Sequence, residues 1–340
     1  IPSIYLGVPE EGTVLSILPG HKLLLEGRGA EAIRLTVIGC FGAILFSLIL
    51  LSGVVYFIPT LYELIKPSIA WILAGIVIFM IAIESTWKER AWASIIFLLS
   101  GALGYIVLNS YLVSPNQALF PLLAGLFGLS TLLISMKSCR VIPAQLDVSE
   151  ITLPRQKLLK CIVTGSAAGM IVGLLPGLGA AQATVLAQQV SGRNDHKEFL
   201  ISVSGVDISN FIFSLAAIYV IGRPRSGAAV AVERLLGGLS FFELLFLVLT
   251  ILLVSGIAAI ITLKLSKWIV KKLEKVNYLK FCLSVFIFML VLIGFLTGPF
   301  GLLIAFVSLC IGVISPLVGV KRTHGMGVLL LPTIIYFLTI

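Results

Sequence analysis

The sequence predicts an all-α fold: a polytopic helical membrane protein with inverted-topology repeats and broken or re-entrant helices. Composition, recurring apolar runs and the placement of charge lead there. Of 340 residues, 59% are hydrophobic and 11% charged, with a mean hydropathy of +1.14. A soluble domain carries about 25% charged residues. Apolar windows of about 20 residues recur along the whole chain, the length a helix needs to cross a bilayer. They do not alternate in polarity, which excludes the short strands of a membrane β-barrel.

The net charge of +9 does not mark a nucleic-acid partner, because lysines and arginines collect in short loops between apolar runs. That is the positive-inside pattern of a membrane protein. The cysteines at 40, 139, 161, 282 and 310 are scattered without CxxC or metal-ligand spacing and read as small core residues. No metal site is expected. There are three histidines and no HExxH, DDxxD or GxSxG pattern, so no catalytic cluster and no enzymatic activity is expected. The chain opens at Ile1 without a signal-peptide pattern, so an N-terminal portion is expected to precede it.

Taken in order, the apolar runs lie at about 33–58, 68–84, 91–110, 118–136, 159–190 (interrupted), 199–221, 237–263, 278–296, 300–317 and 326–340. The stretch KSCRVIPAQLDVSEITLPRQKLLK (137–160) carries five basic residues, and 264–280 carries Lys264, Lys267, Lys271, Lys272, Lys275 and Lys280. Lys321 with Arg322, and Lys88 with Arg90, mark two more basic loops, whereas NSYLVSPNQ (109–117) and LTGPF (296–300) have no charge. Basic loops inside and bare loops outside set the run at 33–58 going outward and that at 237–263 going inward. Two halves of similar layout and opposite sense, 1–150 and 151–340, are the mark of an inverted-repeat transporter. A sequence echo agrees: LGVPEEG and IGRPRSG share G-x-P-x-x-G, as Gly7, Pro9, Gly12 and as Gly222, Pro224, Gly227.

Three places carry candidate chemistry. In GLLPGLGAAQAT (173–184) Pro176 removes a backbone donor, and Gly177 and Gly179 permit dihedrals that other residues resist. Backbone that leaves the helix inside a membrane must face protein or a wet cavity. The helix restarting at A-A-Q-A-T would point its first N–H groups into the gap, a site for carboxylate or phosphate, with Gln182 and Thr184 as neutral polar contacts. The alternative is a proline-kinked helix packed through Gly165, Gly169 and Gly173, spaced every four residues. In VSGVDISN (203–210), Asp207 and Asn210 share a helix face and suit a driving cation or a proton relay; otherwise Asp207 lies near the interface, close to Asp195, His196, Lys197 and Glu198, and is merely solvated. Arg223 and Arg225 flank Pro224, and Glu10 and Glu11 occupy the first echo. The guanidinium fork suits carboxylate or phosphate, unless both loops are simply wet. His21, His196 and His324 fall in loops and read as surface histidines.

These motifs resemble the TctA family, the large membrane subunit of tripartite tricarboxylate transporters. The family's G-L-x-P-G-x-G is matched by Gly173 to Gly179. Its K-E-F-G…G-V…E/D-x-x-N run is matched by Lys197, Glu198, Phe199, Gly205, Val206, Asp207 and Asn210. Its L-G-I-P-G-S-x-x-A segment is matched by Ile221, Gly222, Pro224, Ser226, Gly227 and Ala229, with Pro224-Arg225-Ser226 standing for P-G-S. The chain resembles the shorter, archaeal-type members, and the family's first P-G motif is expected before Ile1. The expectation is a secondary active transporter of an organic anion such as a carboxylate, working by alternating access in a prokaryotic plasma membrane. No cofactor is expected beyond a coupling Na+ or H+. The resemblance implies a small membrane subunit and a solute-binding protein as partners. Two other classes stand beside it: a flippase for a polyprenyl phosphate or other lipid carrier, and a membrane scaffold without substrate.

Overall fold

Long apolar segments in a bilayer can satisfy their own backbone only as helices or closed barrels. The computed structural model describes residues 4–5, 20, 22–24, 26–110, 112–137, 145, 153–174, 180, 183–184, 187, 196–222, 224, 226–273 and 278–339, and no strand occurs among them. In chain order the helices are α1 (Gly29–Ile65), α2 (Ile69–Ala82), α3 (Trp87–Asn109), α4 (Pro115–Leu123), α5 (Ser130–Lys137), α6 (Arg155–Leu174), α7 (His196–Ile221), α8 (Gly227–Leu236), α9 (Phe241–Leu273), α10 (Tyr278–Leu317) and α11 (Gly327–Thr339). Among the described residues, eight helical stretches are long and apolar enough to cross a membrane.

Local chemistry sets the ends. Thr86 and Glu89 close a reciprocal capping box at the start of α3. Gln145 reaches across to the start of α1, accepting from the Gly29 N–H at 3.0 Å and donating to the Leu24 carbonyl at 2.9 Å. Gly298, at φ 69°, precedes Pro299 and breaks α10 into two arms. Gly294 then packs on Leu302, so the arms form a hairpin. A π turn, Ala124–Leu129, joins α4 to α5.

The helices pack in two groups. In the first, α7 lies between α1 and α6, with α9 on the outside. A methyl group added at Gly165, Gly169 or Gly173 of α6 would run into the carbonyl oxygens of Ser202, Val206 and Asn210 of α7. The same test at Gly39 of α1 meets the Ile201 carbonyl, and Ser47 shares a 2.7 Å hydroxyl bond with Ser209. Residue numbers rise together in all these contacts, so α1, α6 and α7 run parallel. Consequently the interrupted apolar run at 159–190 is not one net crossing: α6 goes out, and the chain is back at the starting side by His196. With that return, α9 runs inward, as the lysines at its end require.

The second group holds α2, α3, the α4–π–α5 rod, α10 and α11. Two crossings within it repeat the same contacts. Gly327 abuts the Phe97 carbonyl and Ser100, and Gly104 abuts the Val328 carbonyl. Likewise Gly125 abuts the Ala305 carbonyl and Ser308, and Gly312 abuts the Leu126 carbonyl. Phe97, Ser100, Gly104 and Ala305, Ser308, Gly312 thus share one spacing, each opposite a Gly-then-large pair. The two sequence halves interleave: α1 packs with α6 and α7, while α10 and α11 pack with helices of the first half. Ala180, Ala183 and Ala187 sit in the seam between the groups, buried with Val172 and Val206 on one side and Leu73, Phe97 and Leu330 on the other. Outward, α9 exposes Leu253, Val254, Ile257, Ile260 and Ile261, an apolar face of the kind a bilayer covers.

Candidate functional site

α7 is buried on nearly every side, yet it carries Ser202, Ser204, Asp207, Ser209, Asn210 and Ser214. A helix surrounded by protein can hold such groups because neighbours, not lipid, meet them. Ser204 spends its hydroxyl on the Leu200 carbonyl and Ser202 on that of Cys161. Asp207 is half-buried, about 16 Å along α7 from its start, so it does not belong to the interface. Its carboxylate lies within electrostatic reach of Cys40 on α1, whose thiol points at the Ser204 carbonyl at 3.8 Å.

The backbone of Asn210 packs against the other neighbour, α6. Its carbonyl lies against Gly173, and its N–H side against Gly169. Gly173 begins GLLPGLG, so the fold sets the start of that stretch beside Asn210, about 21 Å along a helix roughly 39 Å long. Ser214, one turn further, approaches Gly173 through its backbone, and its buried hydroxyl has no hydrogen-bond partner among the described residues. The restart is helical where described: Ala180, Ala183, Thr184 and Ala187 are buried, and Thr184 donates its hydroxyl to the Ala180 carbonyl at 2.8 Å. The four-residue glycine spacing packs α6 on α7, and because the two helices run parallel the chain is back at the starting side by His196. Pro176, Gly177, Gly179 and Gln182 lie outside the described residues.

The second G-x-P-x-x-G does not join this cluster. Gly222, at φ 65°, ends α7 with its N–H on the Ile218 carbonyl. Ser226 then caps α8 by accepting from the Ala229 N–H at 3.2 Å. Gly222 and Gly227 are exposed and Pro224 is half-buried, about 18 Å beyond Asn210 along the axis. Arg223, Arg225, Gly7, Pro9, Gly12, Glu10 and Glu11 lie outside the described residues.

At the basic end the charges are not simply solvated. Glu31 is 1% exposed and takes Arg28 at 2.7 Å and Lys197 at 2.9 Å. Both are charge contacts without good hydrogen-bond angles. Glu198 pairs with Lys157 at 2.8 Å, and His196 meets the Lys22 ammonium at 2.8 Å. These pairs tie together the starts of α1, α6 and α7. Lys197 and Glu198 are themselves buried. His324, read from sequence as a surface residue, is also buried, 2.9 Å from Glu84. No three-residue cluster of metal-ligating type occurs among the described residues.

Fold and site together define a multi-pass helical membrane protein in which the glycines of α6 lie against α7, a buried helix that carries serines, Asp207 and Asn210. The chain belongs to the tripartite tricarboxylate transporter TctA family, whose model matches residues 1–327. It is 32% identical to an uncharacterized protein of Methanocaldococcus jannaschii, over 99% of this chain and 84% of that protein. No solved structure matches it. As a member of this family the chain is a membrane-embedded transporter component.

Proposed function

We propose that the protein is the permease of an organic-anion transporter, a secondary carrier that moves a carboxylate by alternating access. The observation that carries this reading is the meeting of Gly173 with Asn210. It aims the entry to the break at a protein-lined polar row rather than at lipid. Helix ends freed there present N–H groups that suit a carboxylate. Asn210 and the Ser214 hydroxyl, which has no partner among the described residues, supply neutral donors. Asp207, on the α1 side of the same helix, is the candidate for a coupling Na+ or H+. The repeated glycine–carbonyl crossings of the second group support two halves, 1–150 and 151–340, related by inverted topology. Within the family's tripartite arrangement, a small membrane subunit and a solute-binding protein are the partners.

Carriage of a polyprenyl phosphate is the second reading. It gains from a 440 Å³ lateral cavity lined by Val37, Ile38, Phe41, Gly42, Ile162, Gly256 and Ala259. Against it, the adjoining cavity reaches Cys40, within reach of Asp207, whose charge weighs against any anion held on that side of α7, whereas the carboxylate of the first reading is assigned to the Gly173 side.

Thermal-shift screening of the purified protein decides. Di- and tricarboxylates, amino acids and polyprenyl phosphates are compared, each with and without sodium. The expected result is stabilisation by a carboxylate that Asp207→Asn makes independent of sodium. Stabilisation by the polyprenyl phosphate alone replaces the reading with the second one.

A further inference from the structure

The strap between α10 and α11, residues 318–326, enters the second helix group instead of running over its surface. Thr323, His324, Gly325 and Met326 are all buried, and Ser100, well along α3, donates to the His324 carbonyl at 3.3 Å. The His324 imidazole meets the Glu84 carboxylate at 2.9 Å, the two residues being 2% and 5% exposed. Lys321, three residues before His324, lies within electrostatic reach of the Glu84 carboxylate. Arg322 reaches back to the Thr131 hydroxyl. One carboxylate from the α2–α3 turn therefore holds the strap at His324, and the strap in turn touches α3 and α5.

We propose that Glu84 and His324 form a proton-operated latch, in which a proton taken up by the imidazole tightens the seat of strap 318–326 in the second helix group. Imidazole is the side chain whose charge changes nearest neutrality. A bond between imidazolium and carboxylate is charge-assisted, and stronger than the neutral bond that remains when the proton leaves. The surroundings set the balance. Lys321 faces Glu84 as a second positive charge, Arg90 donates to the Glu84 backbone carbonyl at 2.9 Å, and Arg322 sits on Thr131. α11 and the second arm of α10 carry no acidic or basic residue. Burial pushes the Glu84 carboxyl up, but the bond to His324 and the charge of Lys321 outweigh it and hold the carboxyl below its ordinary value. Glu84 thus stays ionised while its partner changes charge. The latch needs no knowledge of the cargo and stands or falls apart from the transport reading.

Hydrogen exchange of the full chain in nanodiscs tests it, reading peptides across 318–326 near pH 5 and near pH 8. Rates are corrected for intrinsic exchange on the unfolded peptide. In the wild type the corrected rate should be about tenfold higher at the alkaline end, the factor separating a charge-assisted from a neutral bond. His324→Gln, which keeps a neutral donor, should exchange at one corrected rate at both pH values, as should Glu84→Gln. Peptides from α6 should not respond. A wild-type strap indifferent to pH overturns the latch, and so does a His324→Gln protein that keeps the wild-type ratio. If Glu84→Gln does not fold, the His324→Gln comparison decides alone.

Discussion

The two helix groups use the same contact, glycine against a backbone carbonyl, to different ends. In the first group it recurs at Gly165, Gly169 and Gly173 along three successive turns of parallel helices. Such a seam fixes both the angle and the register of α6 on α7. In the second group each crossing spends its glycines over one or two turns, as at Gly101 and Gly104 on α11. A short crossing fixes where two helices meet but leaves their angle to other contacts. There the other contacts are the buried Glu84–His324 pair and the Arg322–Thr131 bond. The polar row of the candidate site sits in the rigidly registered group, and the titratable latch sits in the other. Membrane helices gain little from apolar attraction to one another, so close backbone approach and buried polar contacts divide the task.

The sharpest way to break the comparison is to remove the charge that ties the first group together. In Glu31→Gln, Lys197 stays buried beside a neutral amide. Loss of one partner from a buried ion pair costs about 3–5 kcal/mol, and Arg28 is left unpaired by the same change. The protein should lose monodispersity on size exclusion or melt far below the wild type. A variant that melts like the wild type would mean the three helix starts are held without Glu31, by packing and the Lys157–Glu198 pair.

Next in size come the glycines. Gly169→Ala places a methyl group on the Val206 carbonyl, whereas Gly256→Ala meets nothing within 4 Å. Overpacking of this kind costs about 1–3 kcal/mol, while the open site should be neutral or gain up to about 1 kcal/mol from the better helix former. Differential scanning fluorimetry of the two variants side by side reads the contrast. Equal melting temperatures would remove the seam as the reason for the glycine spacing.

Much of this was legible in the residues. Apolar length and basic loops gave most of the helices, but α1 runs on to Ile65 and α9 through its lysines to Leu273, past the predicted ends at 58 and 263, and the short α8 was not foreseen. The spacing of Gly165, Gly169 and Gly173 announced close packing. The return of the chain before His196 was half-visible. Pro176 and its glycines marked the break, but hydropathy cannot tell a kinked crossing from a reversal. Only the parallel pairing of α6 with α7 decides it. His324 and Glu84 were invisible because they are far apart in sequence, and because a histidine between Arg322 and a glycine looks like any loop residue. The same holds for Lys197, whose partner Glu31 lies on another helix. Long-range ion pairs leave no periodic trace, whereas burial by helical spacing does.

The second group's pin should show itself in acid. The Glu84 carboxyl titrates below its ordinary value when folded, so the folded state binds its proton less readily than the unfolded chain does. Its contribution is therefore full above the ordinary glutamate range and is lost as pH falls through the lowered folded value. Below about pH 4, the wild type should lose about 2 °C of melting temperature that Glu84→Gln does not lose. Parallel curves for the two proteins would place the acid response elsewhere.

The smallest effect belongs to Ser47, and its size separates positioning by seam from positioning by polar bond. Ser47 and Ser209 are fully buried and share one hydroxyl bond between α1 and α7. After Ser47→Ala, Ser209 keeps its hydroxyl, and that hydroxyl can turn to the carbonyl one turn back on α7, as Ser204 already does. Interhelical bonds of this kind average about 0.6 kcal/mol in membranes because the orphaned partner finds such a substitute. A loss near that size, with sodium dependence of any ligand stabilisation unchanged, fits a first group held by its glycine–carbonyl seams and ion pairs. Ser100→Ala, the counterpart in the second group, removes a bond that reaches the His324 carbonyl itself, and should loosen the strap as well as the helix. If Ser47→Ala instead cost as much as Gly169→Ala, hydroxyl bonding rather than backbone contact would be what holds α7 in place, and the contrast between the two groups would collapse.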